Sequence, residues 1–450
     1  MTTADPSVSL SSAPQKTILV LYHLRYIYPV VQSIMAHLYC WQQYSAHQVI
    51  YVNTAFGFPA ELVEALDVDA IIFHTRFLSR WNVEKFQAVL AGVAALKTHP
   101  AFKVAMPQDE FINTDVLNTF INEFGINLVL SCAGPEDWPA IYPAVSRQRT
   151  DLQTTLTGYV DTNLQAQIEA LPGFGTPIAQ RPIDVGYRAW RAEPWLGHHG
   201  QHKVRVARQV LAHPAASTLA LDISLEAGDT IRGMDWYRFM LDCKSTIGVE
   251  GGASVLDRDG SLRALVAAYM DEHPEASYEV VRDACFATRD GELGLACISP
   301  RHFEACMCQT AQFLVKGGYS GVLEPWRHYV PIEPDYSNLD EVLATLSEPA
   351  RLQTMVESAY ADVVQSGRYS YEQFVRQLDD RILQEGSPGN QAAKAGAMHQ
   401  QAVEKLRRRD AQVWPVMAAE MQYHRNKRPL YKKLFYKSRF NYLLGKLSTV

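Results

Sequence analysis

The chain has 450 residues, of which 47% are hydrophobic and 20% charged, with a formal net charge of −6. These are globular values; the length predicts two domains and an appendage, and the averaged charge gives no hint of a nucleic-acid protein. The seven cysteines (Cys40, Cys132, Cys243, Cys285, Cys297, Cys306, Cys308) are scattered and odd in number, and no second pair completes a zinc pattern with Cys306 and Cys308, so they read as reduced thiols of a cytoplasmic protein.

Residues 1–13 are polar and rich in Ser and Thr. Without a basic start or an apolar core, residues 1–15 read as a disordered leader and not as a signal peptide. No run has the length of a membrane span. Residues 17–22 are a continuous apolar run, as expected for a buried parallel strand. The run ends in His23, and L-R-Y-I-Y-P follows where a dinucleotide-binding fold would show G-x-G-x-x-G, which argues against a nicotinamide dehydrogenase. Strands are predicted at 49–52, 70–73, 102–106 and 127–130, and helices at 30–41, 83–96 and 115–124. This alternation predicts a doubly wound α/β domain. Ligands in such sheets sit beyond the carboxyl ends of the strands. Here those ends carry His23, His74, Gln108, Asp109, Glu110 and Ser131, a polar rim suited to hydroxyl-rich ligands.

Residues 152–160 read as an edge strand, and P-G-F-G-T-P after them as a linker. Gly173 and Gly175 lack the preceding apolar strand that a phosphate loop needs. A second α/β unit begins with a strand at 183–187, which leads into Arg188, and continues with a helix at 202–213. His198 and His202 have metal-compatible spacing on a helix, but Gly197 and Gly200 interrupt it and no acidic ligand stands beside them. Further strands are predicted at 217–223 and 246–249, with a helix at 235–242 between them. Glu250, Gly251, Gly252, Ala253 and Ser254 follow the second of these strands, where two glycines and a serine can offer bare N–H groups to phosphate. Asp257 and Asp259 do not complete a calcium loop.

The most informative stretch is 297–338. Ser299 can cap a helix and Pro300 suits its first position, so 301–309 reads as a short helix carrying Arg301 and Glu304. A strand at 312–315 and the glycines Gly317, Gly318 and Gly321 come next, which allows the backbone to approach a ligand. A helix N-terminus and a glycine-rich turn in one unit make a candidate anion site. The pattern F-E-A-x-x-C-x-T, a strand, glycines, then H-Y-x-P-I and D-x-S-N resembles the C-terminal half of GT-B glycosyltransferases, closest to bacterial members of surface-polysaccharide biosynthesis. D-V-G-Y-R, then W-L-G and Lys203, is similar to the same enzymes, and the weaker resemblance extends over about 180–380.

The resemblance implies two doubly wound Rossmann-like domains facing across a cleft, with a nucleoside diphosphate sugar as substrate and no cofactor or metal. It implies a first, acceptor-side domain at 16–178, a nucleotide-sugar domain at 179–355 and cross-over helices at 356–385. Glu304 would hold the donor ribose, and Arg188 and Lys203 would meet the diphosphate. Retaining members often carry a second acidic residue eight positions before that Glu; here the position is Ala296. An inverting enzyme would want a base, for which Asp109, Glu110 and His23 are the candidates. The implied function is sugar transfer to a glycan or lipid-linked acceptor. A nucleotide-sugar epimerase of the same architecture, or a scaffold without catalysis, are the alternatives.

The segment 386–450 changes character. From 401 on it holds twelve Lys and Arg against three Asp and Glu. Its end interleaves basic residues with Tyr, Phe and Leu, which suits an anionic membrane surface and predicts a helical, basic tail on a peripheral protein at the inner face of the cytoplasmic membrane. Stacking on nucleic acid is the rival reading of this composition, although no nucleic-acid partner is expected. A helix that docks on the enzyme itself is a third.

Overall fold

The computed structural model describes residues 16–25, 32–385 and 396–425. The expected leader and the segment from 426 on lie outside the described residues.

Six strands build the first sheet: β1 (Thr17–Tyr22), β2 (Gln48–Asn53), β3 (Ala70–Phe73), β4 (Phe102–Ala105), β5 (Leu128–Ser131) and β6 (Asp151–Thr154). All pairings are parallel, in the order β2-β1-β3-β4-β5-β6. Every residue of β1 and of β3 to β5 is buried, because both faces are covered, and most of their positions are accordingly apolar; Lys103 in β4 is the charged exception, its ammonium donating to the carbonyls of Lys97 and Phe124 at 2.9 and 2.8 Å. In β6 only Leu152 is buried, as befits an edge, and the strand stops at Thr154, short of the expected 160. The helices α1 (Gln32–Tyr44), α2 (Ala60–Glu64), α3 (Val83–Gly92), α4 (Thr114–Glu123) and α5 (Trp138–Ile141) alternate with these strands.

The chain then crosses to a second domain through α6 (Thr162–Glu169). Its sheet holds β7 (Ile183–Arg188), β8 (Leu221–Ser224), β9 (Cys243–Gly248), β12 (Ala311–Val315) and β13 (Val330–Ile332). The order β13-β12-β9-β7-β8 is again wholly parallel. Counted within each domain, the first sheet runs 2-1-3-4-5-6 and the second 2-1-3-4-5, so each has one switch point where the winding reverses. The expected strand at 217–223 is shorter: Pro214–Thr218 forms a tight turn and β8 begins at Leu221. Between β9 and β12 lie the two-residue strands β10 (Gly251–Gly252) and β11 (Ala296–Cys297), which pair antiparallel. The helices of this half are α7 (Gly197–Ala212), α8 (Met234–Asp242), α9 (Ser261–Glu272), α10 (Tyr278–Cys285), α11 (Pro300–Met307), α12 (Leu339–Ala344) and α13 (Pro349–Ala359).

The stretch 253–297, including α9 and α10, does not pack on the second sheet. Val255, Leu262, Val266, Val281 and Phe286 join one core cluster with Leu19, Phe73 and Phe120 of the first domain. Backbone bonds seal the junction: Asn113 N donates to Asp257 O at 2.6 Å and Asp257 N to Phe111 O at 2.8 Å. An excursion of the second half of the sequence thus ties the two domains together on one side.

The chain returns beside its outward crossing. Val160 N donates to Tyr369 O at 2.8 Å and Tyr371 N to Val160 O at 3.0 Å, with the turn made by Gly367 at φ 69°. From there α14 (Tyr371–Glu385) lays Tyr371, Phe374, Val375, Leu378 and Ile382 against β1 and α1 of the first domain. The last described helix, α15 (Ala397–Arg425), also docks there. Ala402, Val403 and Leu406 join the core on one side and Val413 and Met417 the core on the other. This part of the expected tail is therefore an element of the first domain. No helix among the described residues is long and apolar enough to cross a membrane.

Candidate functional site

The two domains meet between the carboxyl end of β4 and the segments around Lys203, Cys297 and α11. Thr157 Oγ1 donates to the carbonyl of Ile298 across this junction, and a Cβ on Gly158 would stand 3.2 Å from Pro300. Lys203, on α7, stands half-buried in it. Burial and the neighbouring Arg301 guanidinium lower the pKa of its ammonium, while Cys297 and Asp109 act in the opposite direction. Asp109, from the first domain, is near enough to act on Lys203 through its charge. Lys203 Nζ makes no hydrogen bond or ion pair among the described residues. A buried cation without a carboxylate partner is costly unless an anion joins it.

Arg301 is the second cation. Its guanidinium lies 5.7 Å from the ring centroid of Trp236 and Nη1 donates to the carbonyl of Arg188. One turn further along α11, Glu304 is 5% exposed. Trp236 Nε1 donates to its Oε2 at 2.8 Å; Oε1 accepts nothing among the described residues. Burial raises the Glu304 pKa, and the indole N–H and Arg301 oppose it. The helix is opened by Ser299, whose N–H donates to His302 Nδ1 at 3.0 Å. Ser299 thus caps the helix as its sequence suggests.

Asp109 has φ 52°, in the left-handed region. Its exposed carboxylate accepts from Trp81 Nε1 at 2.9 Å, and Trp81 stacks edge-on with Trp195, their centroids 5.8 Å apart. A strained non-glycine residue at a strand end is a common feature of functional loops. Its neighbour Glu110 points the other way. It is 1% exposed and accepts from Ser131 Oγ at 2.6 Å, Cys132 N at 2.6 Å and the Tyr142 hydroxyl. With its oxygens occupied inside the first domain, Glu110 has no path to a substrate. His23 is half-buried and holds Thr54 Oγ1 at 3.1 Å through Nδ1; burial and then Arg25 and Arg76 lower its pKa, so it is a neutral imidazole at neutral pH.

Other expected donor-site residues are also engaged internally. Arg188 Nη2 pairs with Asp222 Oδ1 at 2.7 Å, Nη1 donates to Asp222 O at 2.7 Å and Nε to Asp229 O at 3.2 Å. Its guanidinium also lies 4.6 Å from the Phe239 centroid. It is therefore turned toward β8 and not toward Lys203. Glu250 accepts from Tyr319 N at 2.6 Å and Gly318 N at 3.1 Å, so the amides of the glycine-rich turn are met by a carboxylate of the chain itself. Gly251 and Gly252 form the β10–β11 ladder. A Cβ on Gly252, at φ +139°, would stand 1.9 Å from Leu295 O, so this glycine serves close backbone packing. Ser254 Oγ donates to Asp290 Oδ1 at 2.8 Å, and the same oxygen accepts from His198 N at 2.9 Å. Asp290 thereby fills the N-terminus of α7.

The charges of Arg301 and Asp109 act on Lys203, and that of Arg301 acts on Glu304. Trp236 and Cys297 belong to the same place, and no local pattern in the sequence marks either. His198 and His202 do not share a ligand: His198 Nδ1 holds Asp290 at 2.8 Å and His202 Nδ1 holds Tyr336 OH at 3.0 Å. Among the described residues no group of three or more His, Cys, Asp or Glu stands ready for a metal.

Two Rossmann-like domains that face across a cleft, joined by a chain that crosses twice, make the GT-B arrangement. No family model matches the chain, and no curated protein matches it. Among solved structures the chain is similar to Anabaena Alr3699/HepE in complex with UDP, at 14% identity over 82% of this chain and 99% of that one, with a TM-score of 0.43. It is similar to TarM at 10% identity, over 71% of this chain and 55% of that one, with a TM-score of 0.42. The pneumococcal O-GlcNAc transferase GtfA in complex with UDP and GlcNAc shares 12% identity over 72% of this chain and 59% of that one, with a TM-score of 0.37. At these scores the likeness decides nothing about activity.

Proposed function

We propose that the protein is a glycosyltransferase that moves a sugar from a nucleoside diphosphate donor to a glycan or lipid-linked acceptor in cell-surface polysaccharide assembly. The observation that carries this reading is Lys203: a half-buried ammonium in the interdomain cleft, under the influence of Arg301, with no anion of the chain bound to it among the described residues. A diphosphate is the ligand such a pair of cations suits, with Lys acting as a point charge and Arg as a planar fork. Glu304 offers its Oε1 to the ribose hydroxyls. When the bond from the anomeric carbon to the diphosphate breaks, Lys203 and Arg301 meet the charge that develops on the leaving group. The acceptor hydroxyl forms the new bond to that carbon, and Asp109, the exposed carboxylate of the first domain whose charge acts on Lys203, takes its proton.

In this reading no metal is required, and the enzyme works at the inner face of the membrane. The basic stretch 425–446, beyond the described residues after its first position, supplies attraction to anionic lipid. Calorimetric titration with UDP, GDP and their sugar conjugates tests the core of the reading. Binding by one nucleoside diphosphate is expected, and Lys203→Met should weaken it by about 1–3 kcal/mol, the scale of a charge-assisted hydrogen bond, with a smaller loss for the bare nucleoside. Absence of nucleotide binding, or equal losses for nucleoside and diphosphate, would sink it.

A further inference from the structure

At the carboxyl end of the first sheet three neighbouring strands stop level with one another: Leu21 of β1 pairs with Phe73 of β3, and Phe73 with Ala105 of β4. The turns that follow carry His23, Arg76 and Asp109. The strand order reverses between β1 and β3, and open α/β sheets bind ligands at such a point. The turns after β3 and β4 are clamped to each other from within. Arg76 N donates to His74 Nδ1 at 3.0 Å, and His74 O accepts from Phe77 N and Leu78 N at 2.8 and 3.1 Å. Arg80, 1% exposed, donates from Nη2 to the carbonyls of Gln108 at 3.2 Å and Asp109 at 2.9 Å.

The Arg76 side chain takes no part in this clamp. It is half-buried, and none of its guanidinium nitrogens makes a hydrogen bond or an ion pair among the described residues. Nε is enclosed, so Nη1 and Nη2 are the atoms that can meet a ligand. Asp109 acts on Arg76 through its charge, and on Lys203 as well, so both cations lie within reach of that carboxylate's field. His23 in turn is under the charges of Arg25 and Arg76. Thr54 Oγ1 gives its single hydrogen to Tyr22 O at 3.1 Å and therefore accepts from His23 Nδ1, also at 3.1 Å. His23 Nε2 is left as an acceptor, with no partner among the described residues.

A guanidinium withdrawn from water is costly to leave without an anion. In the transferase reading Lys203 and Arg301 of the second domain meet the donor diphosphate, so Arg76 of the first domain calls for a different anion. A neutral sugar would give His23 a hydroxyl but leave the guanidinium unmatched; an inorganic anion would do the reverse. A sugar that carries an oxyanion answers both, because the planar fork takes phosphate or carboxylate oxygens in pairs and a neighbouring hydroxyl donates to His23 Nε2. We propose that Arg76 anchors an anionic acceptor, a sugar bearing a phosphate or carboxylate group. The name acceptor rests on the transferase reading above; the anion site itself does not.

The test uses the full-length protein, with and without saturating UDP, and the probes glucose and galactose, their 6-phosphates and their uronates, read by saturation-transfer NMR and calorimetry. At least one charged sugar should bind about tenfold or more tighter than its neutral parent, and the tighter of the two charged forms tells phosphate from carboxylate. Arg76→Gln should remove that preference, Arg76→Lys should restore part of it, and Lys203→Met should leave it unchanged. Because Arg76 has no partner within the chain, Arg76→Gln should not lower the melting temperature, as the loss of a structural arginine would. The proposal falls if no charged sugar outbinds its parent at millimolar concentration, or if the preference survives Arg76→Gln. It falls equally if Lys203→Met abolishes the preference without UDP, which would move the anion to the nucleotide side. An Arg76-dependent preference in a protein that binds no nucleoside diphosphate would overturn the transferase reading and leave the anion site standing; nucleotide binding without the preference would do the opposite.

Discussion

Arg188 and Asp222 form an ion pair of 2.7 Å between neighbouring strands of the second domain, and the same guanidinium holds two backbone carbonyls of that edge. An arginine so engaged is a structural clamp on β7 and β8. Arg188→Met is therefore expected to lower stability by about 1–3 kcal/mol, the scale for removing a charged, hydrogen-bonded partner. Nucleoside diphosphate affinity, measured on the folded fraction, should stay within about threefold of the parent. A loss of affinity as large as that of Lys203→Met would show that Arg188 turns to the ligand after all.

Glu304 is buried, with one oxygen held by Trp236 and the other unengaged. Glu304→Gln keeps the shape and can still accept from the indole. Donor affinity should fall by about 1–3 kcal/mol, while the melting temperature of the unliganded protein changes little. Calorimetry with the nucleoside diphosphate decides the matter; unchanged affinity removes Glu304 from the site.

Asp410 couples helix docking to pH. Burial pushes its carboxyl up to about 6, and the hydrogen bond from Tyr22 opposes the rise. Tyr22 OH donates to Oδ1 at 2.9 Å. A folded-state pKa above the unfolded value means that the folded protein binds the proton more tightly. The stabilisation is complete below about pH 4 and is lost as the pH rises through about 6. The whole window is worth about 3 kcal/mol. Thermal unfolding between pH 4.5 and 7.5, conditions chosen to bracket about pH 6, should show a decline on the alkaline side that Asp410→Asn flattens. Parallel curves for the two proteins would mean that Asp410 is not the group responsible.

The two ends of the basic segment are expected to separate by function. Ending the chain at Gln384 removes α15 with its buried Ala402, Val403, Leu406, Val413, Val416 and Met417. Each buried Val, Leu or Met side chain is worth about 1.5–3 kcal/mol when fully buried, so this truncation should unfold or aggregate. Ending the chain at Arg425 should leave folding and nucleotide binding intact and abolish sedimentation with anionic vesicles. Full retention of vesicle binding by the protein that ends at Arg425 would place any membrane contact elsewhere.

Much of the architecture was legible in the chain itself. Strands such as T-I-L-V-L-Y are buried on both faces, and a parallel strand covered on both sides is apolar at most of its positions. Their alternation with helical periods implied a doubly wound domain followed by a second α/β unit. Glu304 and Lys203 were singled out by what the resemblance to GT-B glycosyltransferases implies; the tertiary structure adds that the charge of Arg301 acts on both. What the sequence could not tell is which polar groups were already engaged. Arg188 meets Asp222 across 34 residues, Glu110 meets Tyr142 across 32 and Glu250 meets Tyr319 across 69, and nothing within a local window distinguishes these from groups left free for a ligand. The same holds for 253–297, which lies inside the second half of the chain but completes the core of the first domain, and for α15, whose charged sequence conceals a buried face. Local periodicity sets the elements, whereas the partner of a buried charge is chosen only when distant segments come within hydrogen-bond reach, and there the tertiary structure decided which residues remain available for chemistry.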